Sequence, residues 1–340
     1  MKSMISTLVV IAGLAVGSAE AADESATLWR FDFANDMFAD SDNLFSAGWS
    51  VQWHPQGAAD WDALGVGRVS SLITEIVPGL DPKEGMEVRR GYSISQVIQT
   101  PEDLSQTELI EDDVPYAGAL GWSTAWTVLD DKKLNSFQFY VGVLGPNSYA
   151  EEVQTFVHVD LGFGEEPMGW DNQLDDELLL NMNYALARKV VVFGDQDRFG
   201  GDFSVGGELA LGNLFTHAQA GVGLRAGWNL PGGFAPVPDM AGRGMALDTT
   251  LHKRDDSWRI YGTVIGRGTA VAYTALLDGN LNEDSHSVEY EPVLPQLVAG
   301  LHVERGGWAA HFTMFLSDDP KEENAKSDLT WGNLSFEWTL

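Results

Sequence analysis

The chain has 340 residues, with 20 Lys and Arg against 50 Asp and Glu, a net charge of −30 and no Cys. Such a balance lacks the basic patches that neutralise nucleic-acid phosphate, and zero Cys removes disulfides, thiolate metal sites and Cys nucleophiles together. With 44% apolar residues, including 12 Trp, 8 Tyr and 16 Phe, it is not a disordered acidic polymer either.

In chain order, the first element is a targeting segment. Lys2 supplies a positive start, Met4–Gly17 an apolar core, and Ala19-Glu20-Ala21 the small-x-small pattern of a signal-peptidase site. Residues 1–21 are therefore expected to be a cleaved signal peptide and 22–340 the mature domain. Fourteen apolar-rich residues are short for a spanning helix, and no later run approaches the roughly 20 that one needs.

The remainder alternates. In 27–35, Leu28, Arg30, Asp32 and Ala34 fall on one face and Trp29, Phe31 and Phe33 on the other. In 329–340, Leu334, Phe336, Trp338 and Leu340 oppose Asn333, Ser335, Glu337 and Thr339. Period 2 marks strands with one apolar face. About twelve such runs occur, near 27–35, 45–54, 91–99, 116–129, 135–145, 180–193, 202–211, 216–229, 257–274, 286–303, 307–317 and 328–340. A soluble sandwich or jelly roll alternates in the same way. Aromatics near strand ends, a terminal strand ending on Trp338 and Leu340, and the even count favour an antiparallel, 12-stranded transmembrane β-barrel, an all-β fold. Residues 53–90 and 232–256 read as long loops.

One segment breaks the alternation. In Ser148–Leu161, Glu151, Gln154 and His158 recur at i, i+3 and i+7, which predicts a short helix in one loop. Ser148 and Glu151 have the spacing of a capping box.

Seven His are present, and no HExxH or GxSxG pattern. His302 and His311 fall within strands, as lining residues would. His158, on the expected helix, is either an ordinary surface histidine or a base that activates water beside a carboxylate-held hard cation. Asn35-Asp36, with Asp40 and Asp42 following, is either an acidic solvated turn or an oxygen-rich site suited to Ca²⁺.

Several blocks resemble the outer-membrane lipid A 3'-O-deacylases. They are Asn35-Asp36 with Asp42-Asn43-Leu44-Phe45-Ser46-Ala47-Gly48; Thr100-Pro101 with Asp113-Val114-Pro115-Tyr116-Ala117-Gly118; Gly145-Pro146 with Gln154 and His158; Gly169-Trp170-Asp171-Asn172-Gln173-Leu174; and Gly212-Asn213-Leu214-Phe215. The blocks keep the family's order. The family's Arg is absent at two places, where Asn43 and Val114 stand, and Ser46 stands for its Thr.

The resemblance implies a Ca²⁺-dependent esterase in the outer membrane of a Gram-negative bacterium. Its reaction would remove the 3'-linked acyloxyacyl chain of lipid A from lipopolysaccharide in the outer leaflet. Carried over, His158 is the general base and Gln154 orients it. Asp36 holds the metal with Glu165, or with Glu166 or Asp160 instead, and Asn35 and Ser46 complete the site. A non-catalytic barrel (porin-like or structural) and a phospholipase-type esterase are the alternative readings.

Overall fold

The computed structural model describes residues 27–36, 47–162, 164–237, 250–251, 256–318 and 328–340. The expected signal peptide lies outside these residues, as do Asp40, Asp42, Asn43 and Ser46.

Twelve antiparallel strands follow one another around a closed barrel. They are β1 (Leu28–Asn35), β2 (Ala47–His54), β3 (Glu87–Gln99), β4 (Ala117–Leu129), β5 (Lys133–Leu144), β6 (Glu177–Gly194), β7 (Phe199–Gly212), β8 (Phe215–Trp228), β9 (Arg259–Thr274), β10 (Val293–Arg305), β11 (Trp308–Asp318) and β12 (Asp328–Thr339). β1 closes the ring on β12, in a register running from Leu28 opposite Thr339 to Asn35 opposite Gly332. Among the described residues, three α-helices sit in the connections: α1 (Arg68–Ile76), α2 (Ala150–Thr155), which runs on as a π turn over Phe156–Asp160, and α3 (Ala275–Asp278). No described helix is long and apolar enough to cross a membrane, whereas the strands form a closed ring with no free edge. Most exceed the roughly 9–11 residues a spanning strand needs.

The alternation sorts side chains between lipid and lumen. Along β6, Leu178, Leu180 and Met182 are exposed outward, while Leu179, Asn181 and Asn183 are buried. In β1, Arg30 and Asp32 point inward and Trp29, Phe31 and Phe33 outward, as the sequence pattern predicts.

Both termini of the described barrel lie at one end, here the termini end. Within the lumen there, Arg30 meets Asp32 at 3.4 Å and Glu337 at 3.2 Å, and Gln52, Ser50, His302 and His311 are buried around them. Across the lumen Asp202 pairs with Arg225 at 2.7 Å and Lys189 at 3.2 Å. Buried charges at this density persist because each has an opposite partner. On the outside of the same end, Trp29, Trp53 and Tyr92 stack in a row with ring separations of 5.9 and 5.6 Å. Trp258 meets Trp308 edge-on, as does Phe199 with Trp228. This is an interfacial aromatic girdle.

At the distal end, the lumen is closed by apolar side chains. Val114, Leu276 and Leu277, from the β3–β4 connection and α3, pack with Ala34, Leu144, Phe315 and Trp331. A cavity of about 230 Å³ remains along β5–β9.

Two sequence expectations change. The run expected as a strand over 286–303 begins only at Val293. Val288 and Tyr290 instead pack on the distal core, with Val288 N–H donating to the Leu277 carbonyl. A connection that plugs a lumen buries alternate apolar residues much as a strand does. The loop expected over 53–90 contains α1.

Candidate active site on the outer wall

The largest distal connection, residues 145–176, folds back against the outside of the barrel. Gly118 makes that approach possible, since a Cβ there would lie 2.2 Å from both Ala150 Cβ and Ser148 Oγ. From below, Gln96 holds the segment. It faces outward from β3 yet is buried, donates from Nε2 to the Ser148 carbonyl at 2.7 Å and accepts from Trp49 Nε1 at 2.8 Å. Ala150 and Val153 pack on Ile98, Tyr116 and Trp170.

The expected capping box does not form. Ser148 ends a 3-10 turn over Pro146–Ser148, and the N-cap of α2 is Tyr149, at φ 60° with no side-chain cap. Ser148 is instead a buried contact beneath the helix, against Gly118.

His158 lies in the π turn and is half-buried. Its Nδ1 is 2.8 Å from the Glu165 backbone carbonyl. A carbonyl only accepts, so Nδ1 carries a proton, and Nε2 is the ring nitrogen that can carry a lone pair. Gly164 lies against the ring, where a Cβ would come within 2.6 Å of Nδ1. Around His158, Phe156, Val159 and Leu161 are exposed.

One turn earlier, Gln154 is 4% exposed. Its Oε1 accepts from Trp170 Nε1 at 2.9 Å, while its Nε2 has no hydrogen-bond partner among the described residues. Such a donor is costly to bury unless something else satisfies it. Trp170 in turn packs on Tyr116, with ring centroids 4.9 Å apart.

The motif blocks form the platform beneath this helix. Asp113 accepts from the Glu102 and Val114 amides, and its carbonyl accepts from His286 Nε2 at 2.7 Å. Gln99 donates to the Pro115 and Leu276 carbonyls. The Leu174 amide donates to the Tyr116 carbonyl. These bonds tie the β3–β4, β5–β6 and β9–β10 connections to one another.

Asn35 ends β1 on its outward face, and Asp36 begins the following turn. The register places Asn35 opposite Ala47, Ala47 opposite Ile98, and Ile98 opposite Gly118. One lateral row therefore runs across the first four strands from Asn35 to the seat of the helical segment. At about 4.8 Å per strand, that row spans roughly 14 Å. Ser46 lies outside the described residues. Glu165 meets His158 through its backbone.

Among the described residues, no three His, Asp or Glu side chains converge to hold a metal. The donors implied by the sequence are Asp36 and Glu165 carboxylates and the Asn35 amide oxygen, a hard-oxygen set whose chemistry suits Ca²⁺ rather than a softer metal. The connections 36–46, 100–116, 145–176 and 275–292 contain no Lys or Arg. Among groups with shifted affinity, Glu151 has its carboxyl raised by burial and by the negative charges of Glu152 and Asp171.

Sequence reasoning missed Gln96. Its only signal is a polar residue in the outward lane of β3, between Ile94 and Ile98, where lipid-facing residues are expected.

No curated protein matches the chain. Among solved structures, LpxR from Salmonella typhimurium superimposes with a TM-score of 0.71 at 15% identity, covering 92% of this chain and 99% of that one. The β domain of the Bordetella autotransporter BrkA gives a TM-score of 0.44 at 9% identity, covering 93% and 99%. The family model described as outer membrane protein LpxR matches residues 4–340. Taken with its twelve-stranded barrel, that match makes the chain a member of the outer membrane protein LpxR family, the outer-membrane lipid A deacylases that its motif blocks resemble.

Proposed function

We propose that the chain hydrolyses the ester linking the 3' acyloxyacyl chain to lipid A, with His158 as general base, at a site on the outer wall rather than in the lumen. The observation that carries this reading is the tautomer of His158. Its Nδ1–H is held by the Glu165 carbonyl, so Nε2 is left as a base among exposed apolar side chains.

The termini end faces the periplasm and the distal end the outer leaflet. An acyl chain in that leaflet reaches Phe156, Val159 and Leu161 from the side without leaving hydrocarbon. His158 Nε2 takes a proton from water as the water oxygen attacks the ester carbonyl carbon. The imidazolium returns that proton to the departing sugar oxygen as the acyl C–O bond breaks, giving a sugar hydroxyl and a free fatty acid, which then loses its remaining proton to water. Gln154, one turn before His158 and hydrogen-bonded to Trp170, would position the base.

Asp36 and Glu165 are the residues that would hold Ca²⁺, and Asn35 and Ser46 would complete the site. Bound there, Ca²⁺ would polarise the carbonyl and offset developing negative charge.

The test is mass spectrometry of lipid A after incubation with wild type and His158→Ala, each with Ca²⁺ or with chelator. Loss of the 3' chain only with wild type and Ca²⁺ is expected. Deacylation by a folded His158→Ala protein would overturn the role of His158. Deacylation undiminished by chelator would overturn the metal. Release of fatty acid from glycerophospholipids, with lipid A untouched, would make the chain a phospholipase instead.

A further inference from the structure

The connection between β2 and β3 does not hang free below the barrel. Trp61 Nε1 donates to the Leu80 carbonyl at 2.7 Å, and Ala58 and Val88 exchange backbone hydrogen bonds. Asn135 and Tyr184 donate to the Gly79 and Pro78 carbonyls at 2.9 Å each. The segment is thereby clamped along the outside of the wall from β3 to β6, at the termini end.

α1 lies within this clamp with its polarity inverted. Its polar residues Ser70 and Thr74, one turn apart, are the buried ones. Ser70 Oγ accepts from Arg90, an outward-facing β3 residue whose guanidinium also lies over the Tyr92 and Trp126 rings. Val69, Leu72 and Ile76, at i, i+3 and i+7, point away from the barrel and are 74%, 57% and 67% exposed. A helix that only had to pack on a protein in water would bury that stripe.

The surroundings say what covers it. Arg90 is two residues from Tyr92, the last ring of the Trp29–Trp53–Tyr92 row. The apolar edge of α1 therefore continues the lipid-facing belt at the level of its aromatic girdle. We propose that α1 is an interfacial helix whose Val69, Leu72 and Ile76 insert among phospholipid acyl chains of the periplasmic leaflet, with its polar face held by Arg90. Helices of this kind lie in the plane of the interface with the apolar side in the acyl boundary. Here the helix would fix the depth of the barrel in the membrane, and with it the height of the outer-wall site.

The absence of Cys makes the test direct. Full-length Leu72→Cys, Ile76→Cys and Glu75→Cys proteins are nitroxide-labelled and reconstituted in phosphatidylethanolamine–phosphatidylglycerol vesicles. The accessibility of each label to oxygen, which partitions into lipid, is compared with its accessibility to a water-soluble nickel chelate. Folding of each variant is checked by its resistance to unfolding in detergent without heating. The expected result is an oxygen preference several-fold greater at 72 and 76 than at 75. Equal nickel access at all three sites would overturn the proposal, since the stripe would then face water. Low access to both reagents at 72 and 76 would also overturn it, because a protein surface would be the occupant.

Discussion

The two ends of the barrel use charge in opposite ways. At the termini end, the charges inside the lumen are paired: Arg30 with Asp32 and Glu337, Asp202 with Arg225 and Lys189. At the distal end, the connections 36–46, 100–116, 145–176 and 275–292 carry carboxylates and no Lys or Arg, and the half-buried His158 stands on the outer face. Inward, matched charge makes a plug, because every group has spent its partner inside the fold. Outward, unmatched charge leaves work for a ligand. The overall charge of −30 cannot separate these two uses. The face on which each carboxylate lies does so.

The largest effect expected at the distal end is on rate. His158→Ala should lower deacylation by about 10²- to 10⁴-fold, the usual contribution of a positioned base. Barrel stability should be unchanged, since the ring's hydrogen bond is to a carbonyl of its own loop, outside the strand ladder. Initial rates of fatty-acid release, together with heat-modified migration of the barrel, check both halves of this statement.

At the termini end, the corresponding change acts on stability alone. Arg30→Met leaves Asp32 and Glu337 buried without their cation, and breaking a buried pair in this way costs about 3–5 kcal/mol. Urea unfolding from lipid vesicles measures that loss. The specific activity of the fraction that remains folded should stay close to wild type. If activity per folded molecule fell as far as stability, the two ends would not be separable.

Gly118→Val joins fold and site. Its added carbons collide with Ala150 and Ser148 on the outer face, where the helical segment can lift but the barrel wall need not move. A misplacement of about 1 Å can cost roughly 10² in rate. The expected outcome is a drop of that order with little loss of barrel stability, read from kcat and urea midpoints on the same samples.

Much of the barrel was readable because lipid and lumen demand different side chains at alternate positions. β1 and β12 show this residue by residue. The reading failed where other surroundings impose the same pattern. Val288 and Tyr290 alternate because they plug the lumen, and Ser148-x-x-Glu151 imitates a cap while Ser148 is committed beneath Gly118. The stripe of α1 was present in the sequence at 69, 72 and 76. It was obscured because an inverted helix outside a barrel is not what helical periodicity ordinarily signals. At the site, His158 and Gln154 were visible through motif order. The tautomer of His158, the unmatched Nε2 of Gln154 and the brace from Gln96 depend on contacts between distant strands, which no spacing records.

The smallest effect tests the comparison through its sign. Glu151 binds its proton more tightly in the folded chain than in the unfolded one, because burial and the charges of Glu152 and Asp171 oppose ionisation. A carboxyl whose affinity is raised by folding costs stability as pH climbs through the ordinary carboxylate range to its raised value, and the cost persists above it. Glu151→Gln removes that term. Protection of the α2 amides against hydrogen exchange should therefore rise in the variant at neutral pH, and the difference should vanish below about pH 4. Because the side chain is largely exposed and screened, the gain is on the order of a few tenths of a kcal/mol. Added Ca²⁺ should shrink it by supplying positive charge to the wild type. At the other end, Asp202→Asn makes the same chemical change between Arg225 and Lys189 and should lower stability, since it strands the buried Arg225 and leaves Lys189 only Asp131. Opposite signs for one substitution type are what a spent plug and an open site require, and equal signs would mean that the distal carboxylates already have their partners.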